Sequence, residues 1–253
     1  MPKSLTKKLD KAIEKVASAT DLLLAHSLST GFEEVTPDDF MVPFVSVVQK
    51  MSAEVEEGVK PGSLINRATQ QVYESVTVVP VYFKKRFVLW TPRDLGGGFK
   101  GEFLPGDKLV KEAVYDKDAN KLKVGTDELT ETAYFYCLNI VEDGPPEPVV
   151  FSMTSSMLKS SRQWLTIAQA KKIKNGDEWV PAPFYANSYR VEVSQQTNTK
   201  GSWYGLKVSL NEPVEDVHLI KAAIDFYKLV SGGSVDVDRK VEQGSPDSTK
   251  EQF

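Results

Sequence analysis

Between Val76 and Trp90 the sequence sets Tyr82, Lys84, Arg86 and Trp90 at alternating positions. An extended strand sends successive side chains to opposite faces, so these four are expected to project together, mixing flat π surfaces with fixed positive charge. The chemistry such a face serves is recognition of a single nucleic-acid strand. Exposed bases stack on aromatic rings at about 1–3 kcal/mol each, phosphates need cations along the same track, and a duplex hides the base faces. Arg93, Phe99 and Lys100 carry the same character into the loop around Gly96-Gly-Gly98. The odd positions Val79, Val81, Phe83, Phe87 and Leu89 read as an apolar face interrupted by Lys85. Two plainer arrangements use the same residues: Tyr82 and Trp90 packed beneath a helix while the lysines snorkel outward, or Lys84-Lys85 turning a hairpin.

The alternation recurs near the C-terminal end, where Tyr204, Leu206, Val208 and Leu210 share one parity and Trp203 and Lys207 the other. Trp203 is a candidate second stacking platform, although an outward tryptophan is also a common interface residue. A segment from Ser155 to Lys174 has helical spacing, with Leu158, Ser161, Leu165 and Ala168 on one stripe and Lys159, Arg162, Lys171 and Lys174 off it. From Lys159 to Lys174 it holds five cations, Lys172 included, and no acid. A solvated helix usually mixes signs, so this one is expected to face an anion.

Catalytic alternatives find little purchase. His26 and His218 are far apart and neither belongs to an H-x-x-x-H pair. Gly96-Gly-Gly-Phe-Lys-Gly101 lacks the G-K-[ST] ending of a phosphate cradle. A magnesium-dependent nuclease needs clustered carboxylates with a nearby lysine, and the one matching triplet, Asp238-Arg-Lys240, falls in a polar tail. The acidic pairs Asp38-Asp39 and Asp177-Glu178 read as capping or solvated turn residues. Cys137 is the single cysteine, which excludes an intrachain disulfide and reads as a small core residue. No catalytic residue, metal or cofactor is expected.

The elements that must position the aromatic and basic residues are mostly strands. Ser75–Trp90 is the longest β-forming run. Hairpins are expected around Asp116-Lys-Asp-Ala-Asn120 and Asn198-Thr-Lys-Gly201, where Asp, Asn and Gly tolerate left-handed backbone. Thr132–Val141 and Val149–Met153 read as strands separated by a proline-rich connection. Asn175-Gly176 reads as the end of the mid-chain helix, and Val217, Ile220, Ile224 and Tyr227 mark a last helix with Pro213 in its first turn. The expected fold is α+β and mainly β: an antiparallel OB-like barrel or strongly curved sheet with an N-terminal, a mid-chain and a C-terminal helix. Residues 1–36 are expected to form the N-terminal helical arm, 37–230 the binding domain and 231–253 a disordered, mildly acidic tail.

Net charge is −4, which argues against a general polyanion binder, but the sign is uneven. Residues 1–60 and 231–253 carry −3 and −2, leaving the body at about +1, with its basic clusters inside aromatic-rich stretches. No apolar run reaches the ~18 residues of a membrane span. Leu5, Leu9, Ile13 and Val16 are spaced as a helix stripe and not as a signal-peptide core, so a cytoplasmic location is expected.

Pro43-Phe44, Phe83-Lys-Lys-Arg-Phe87 with Trp90-Thr-Pro-Arg-Asp94 and Gly96-Gly-Gly-Phe99, Ser161-Arg-Gln-Trp164, and Gly201-Ser-Trp-Tyr-Gly205 together resemble bacteriophage-encoded single-stranded DNA-binding proteins. The similarity covers roughly residues 40–210. It implies an OB-like barrel that coats single-stranded DNA during phage replication and recombination, without sequence preference or cofactor, in the host cytoplasm. It also implies that a C-terminal aromatic residue, here Phe253, recruits replication or recombination proteins, although this tail is only mildly acidic. A homo-oligomer is compatible with that role. The alternative is a structural or assembly protein of the virion, acting through an oligomer interface.

Overall fold

The computed structural model describes residues 31, 33–34, 41–142, 144–199, 201–233 and 236–237. Two compact units divide the chain, Met1–Asp39 and Phe40–Phe253, and the architecture below is that of the second. The expected N-terminal helix, Asp38-Asp39, Asp238-Arg-Lys240 and Phe253 lie outside the described residues.

The unit opens with β1 (Met41–Val42) and β2 (Val45–Val47), parted at Pro43, whose carbonyl accepts a bond from the Val150 amide. Strands β3 (Leu64–Asn66), β4 (Val72–Tyr73), β5 (Ser75–Trp90) and β6 (Phe99–Phe103) follow. A short helix, α1 (Lys108–Glu112), leads to β7 (Val114–Asp116), β8 (Lys121–Val124), β9 (Asp127–Asn139) and β10 (Glu147–Thr154). Then come α2 (Leu158–Gln169), β11 (Lys172–Asn175), β12 (Glu178–Pro181), β13 (Asn187–Asn198), β14 (Gly201–Pro213), α3 (Val217–Ser231) and β15 (Asp236–Val237).

The backbone of the fold is the antiparallel pair β5–β9, rich in the β-branched and aromatic residues that fit a pleated, half-buried surface. On its outer side, β5 pairs β13 through Ser75–Val78 and β6 through Phe87–Trp90. On the other side of β9 lie β10 and β8. The sheet of eight strands is open, with β14 and β7 at the two ends of the path β14-β13-β5-β9-β8-β7. The OB-like barrel is therefore overturned. Barrel closure needs the first and last strands to pair, whereas here the long central pair holds two half-sheets that flank it at different heights. The edge of β14 is satisfied otherwise: the Gln49 side chain donates to the Tyr204 carbonyl at 2.7 Å and accepts from its amide at 3.0 Å, blunting the edge as a template for another strand.

Both faces of the sheet are covered at one end. On one face, Val76, Val78, Phe135, Phe151, Tyr189 and Leu206 pack against α2 and the β2-β3-β4 sheet. Trp164 of α2 is fully buried there and stacks on Phe135 with ring centroids 4.3 Å apart and planes at 3°. Cys137 lies in this core, as its composition of neighbours implied, and burial pushes its thiol well above the ordinary range. On the opposite face, Val79, Val81, Val88, Tyr134 and Tyr136 meet Ala223, Phe226 and Val230 of α3. The expected α3 stripe shifts accordingly: Val217 is 73% exposed and Tyr227 42%. Pro213 ends β14, and the helix is capped instead by Asp216, whose carboxylate accepts from the His218 amide at 2.8 Å.

Among the described residues there are three α-helices; α1 takes up Leu109–Glu112, the first part of the Leu109–Tyr115 arm that the hairpin at Asp116–Asn120 is expected to have, and leaves Val114–Asp116 as the strand. The expected helix Ser155–Lys174 stops at Gln169. Beyond it Lys172–Asn175 and Glu178–Pro181 form a hairpin, because Lys-Ile-Lys-Asn and Glu-Trp-Val-Pro alternate with period two about Asn175-Gly176. Gly176, with φ 61°, takes the first turn position that a II′ hairpin reserves for glycine.

Candidate nucleic-acid interface

Strand β5 carries the first set of candidate residues, and its register decides which way they point. A bulge lies between Pro80, opposite Cys137, and Tyr82, opposite Tyr136, so Val81 is the extra residue. The bulge puts Val79, Val81 and Tyr82 on the same side of the sheet, and the odd positions do not form one apolar face. Beyond it, Tyr82, Lys84, Arg86, Val88 and Trp90 stand opposite Tyr136, Tyr134, Thr132, Thr130 and Glu128. Tyr82, Lys84, Arg86 and Trp90 do therefore share a face, with buried Val88 between the last two.

That face is partly roofed. Tyr82 is half-buried, with the Tyr227 ring of α3 at 5.8 Å and the Tyr136 ring at 6.5 Å. Lys84 Nζ sits 4.9 Å from the Tyr136 ring centroid and 5.9 Å from that of Tyr82, a cation held over π faces. Trp90 is half-buried and meets the exposed ring of Phe99 edge-on at 5.7 Å. Phe99 is its cross-strand partner on β6. Three glycines deliver Phe99 to that place: Gly96, Gly97 and Gly98 all take positive φ, and the Thr91 amide closes the turn on the Gly98 carbonyl.

The cations of this region are largely matched by acids. Arg86 Nε contacts Glu102 Oε1 at 3.0 Å. Lys85 contacts Glu131, Lys100 contacts Asp127 and Lys121 contacts Glu128, each at 2.6–2.7 Å. Arg93 is exposed, in the turn of 3-10 helix Arg93–Leu95. A cleft of about 550 Å³ opens beside that turn, lined by Asp94, Asp118, Lys121, Lys123 and Glu128 among others. Its mixed charge makes it no continuation of a basic track.

The remaining candidates are not brought to this place. Trp203 and Lys207 lie on the same side of the sheet, as Tyr204, Leu206, Val208 and Leu210 turn to the α2 core. Yet Trp203 stands opposite Gln196, beyond the point where Glu192 meets Ser75. Trp203 and Trp90 are thus on the order of 60 Å apart along the strands at ~3.3 Å per residue. Trp203 is half-buried with its indole N–H buried and without a partner. Lys207 is 3.7 Å from Glu192, whose carboxyl is held below its ordinary range by the hydrogen bond from Arg190. Lys159 and Arg162 are exposed on α2, against the opposite face of the sheet from Tyr82. Neither makes an ion pair among the described residues.

A scan of protein-family models matches residues 13–236 to the Pam3 phage gp34-like protein family. The chain belongs to that family. It is phage-encoded, which agrees with the resemblance to phage proteins, while the single-stranded DNA binding in that resemblance is not part of the family's description. No curated protein and no solved structure matches the chain. The stretch shared with the gp34-like family takes in every candidate residue above.

In this gp34-like chain the sequence reading passed over Trp179. It is 63% exposed, on β12, directly opposite Lys174. The signal is in the sequence: Gly176-Asp177 between two short alternating runs is a two-residue hairpin cue. Helical spacing instead takes Lys171, Lys172 and Lys174 into the helix, which leaves Trp179 without a partner.

Proposed function

We propose that this phage protein binds single-stranded DNA without sequence preference and protects it during phage DNA replication or recombination. The observation that carries the reading is the common emergence of Tyr82, Lys84, Arg86 and Trp90 from one face of β5, with Phe99 beside Trp90. Rings and cations alternating along one strand match the alternation of base and phosphate along a single nucleic-acid chain. The test is anisotropy of a labelled oligo(dT) and of a matched duplex, each at two salt concentrations. Salt-sensitive preference for the single strand supports the reading; equal affinity for both, or no binding at low salt, overturns it.

A second reading, a virion structural or assembly protein, draws on β7, an end strand of the large sheet with Val114 69% and Tyr115 51% exposed. Unpaired edges with apolar side chains are templates for another chain. Oligo-independent assembly abolished by Val114→Lys would favour it.

A further inference from the structure

We infer that the β11–β12 hairpin is a second contact for single-stranded nucleic acid, with Trp179 stacking on a base and Lys172 and Lys174 meeting phosphates. The ligand class rests on the reading above; the surface is a different one. The register sets Lys172 opposite Pro181 and Lys174 opposite Trp179, and residues directly opposite, or two apart on one strand, share a face. One side of the hairpin thus carries two ammonium groups and the indole. Ile173, opposite Val180, is on the other side.

Three observations point to a nucleic-acid strand and not to a core or a solvated turn. First, Trp179 is 63% exposed, whereas Trp164 of the neighbouring helix is fully buried. Second, Lys159, Arg162, Lys171, Lys172 and Lys174 form no ion pair among the described residues, in contrast to Lys85, Arg86, Lys100 and Lys121 around the central strand pair. Third, the exposed side of α2 carries cations and no acid and leads to the hairpin. Lys159, Arg162, Thr166 and Gln169, spaced i, i+3, i+7 and i+10, are all exposed along α2, a line of ~15 Å at 1.5 Å per residue. The chain then passes through half-buried Lys171, whose carbonyl accepts from the Ala182 amide at 3.0 Å and so ties the base of the hairpin. The two acids, Asp177 and Glu178, sit at the turn, at the far end from the helix. Cations without ion-pair partners among the described residues, beside an open aromatic, make the surface a single strand selects by both charge and stacking.

The test compares Trp179→Ala, Trp179→Phe and Lys172→Glu/Lys174→Glu with Arg86→Ala in the full chain, by oligo(dT) anisotropy at low and high salt. Circular dichroism and thermal midpoint report folding, which an exposed hairpin leaves unchanged. Trp179→Ala is expected to weaken binding roughly 5- to 150-fold, Trp179→Phe to retain most of it, and the double glutamate to weaken it more at low salt than at high. Loss in these variants with Arg86→Ala unaffected supports the hairpin and overturns the β5 surface. Loss in Arg86→Ala alone, or in none of them, overturns the hairpin, as does a change of oligomeric state in Trp179→Ala with oligonucleotide affinity intact.

Discussion

Arg86 is the residue whose role the geometry makes most measurable, because its charge is held by a named acid. Its guanidinium lies 3.0 Å from Glu102, on a face that also carries Lys84 and Trp90. If a phosphate takes this position, Arg86→Ala removes one counterion release, worth about 0.7 in the slope of log affinity against log salt for a single strand. Between 50 and 200 mM salt, a fourfold change, that slope difference amounts to about 2.6-fold in relative affinity. Glu102→Gln acts in the opposite sense. It removes the carboxylate that neutralises the guanidinium and repels a phosphate, so affinity rises at low salt and the slope steepens by up to about 0.7. The stability change in either variant should stay within about 1 kcal/mol, the scale of a partly solvated pair. Oligo(dT) anisotropy across five salt concentrations reads both slopes. Identical slopes and affinities for wild type, Arg86→Ala and Glu102→Gln would show that no phosphate passes this face.

Trp164→Ala should cost about 3–5 kcal/mol in urea unfolding, because the ring is fully buried against Phe135, Phe151, Phe184 and Tyr189 and leaves a cavity; a loss below 1 kcal/mol would contradict that packing. Gly62→Ala places a methyl 2.8 Å from the Tyr204 ring at φ +87°, so the thermal midpoint should fall by an amount corresponding to about 2 kcal/mol or more, whereas Gly205→Ala meets only the end of the Gln196 side chain and should fall less. Burial pushes the Tyr189 hydroxyl from 10.0 up to about 12. The unfolded chain sheds this proton first, so stability is intact below pH 10 and declines as pH rises toward 12; Tyr189→Phe should flatten that decline in urea midpoints measured from pH 9 to 11.5.

Local chemistry was legible without the fold. The β-run Ser75–Trp90, the turns at Asn120 and Gly201 and the helical stripe of Leu158, Ser161, Leu165 and Ala168 follow from propensity, turn residues and periodicity, all encoded over a few neighbours. The shared face of Tyr82, Lys84, Arg86 and Trp90 was also readable, since all four lie on one side of the bulge and keep the two-residue period. Three features were settled only by tertiary structure. The bulge at Val81 brings Val79, Val81 and Tyr82 to the α3 side, a matter of how β5 pairs β9 that a two-residue period does not show. The sheet stays open because β14 and β7 sit at opposite ends of that long pair, a matter of strand order that no periodicity carries. Charge matching is the third: Glu102, Asp127 and Glu192 are remote in sequence from Arg86, Lys100 and Lys207, so only the folded chain shows those cations paired, while the lysines beside Trp179 have no ion-pair partner among the described residues.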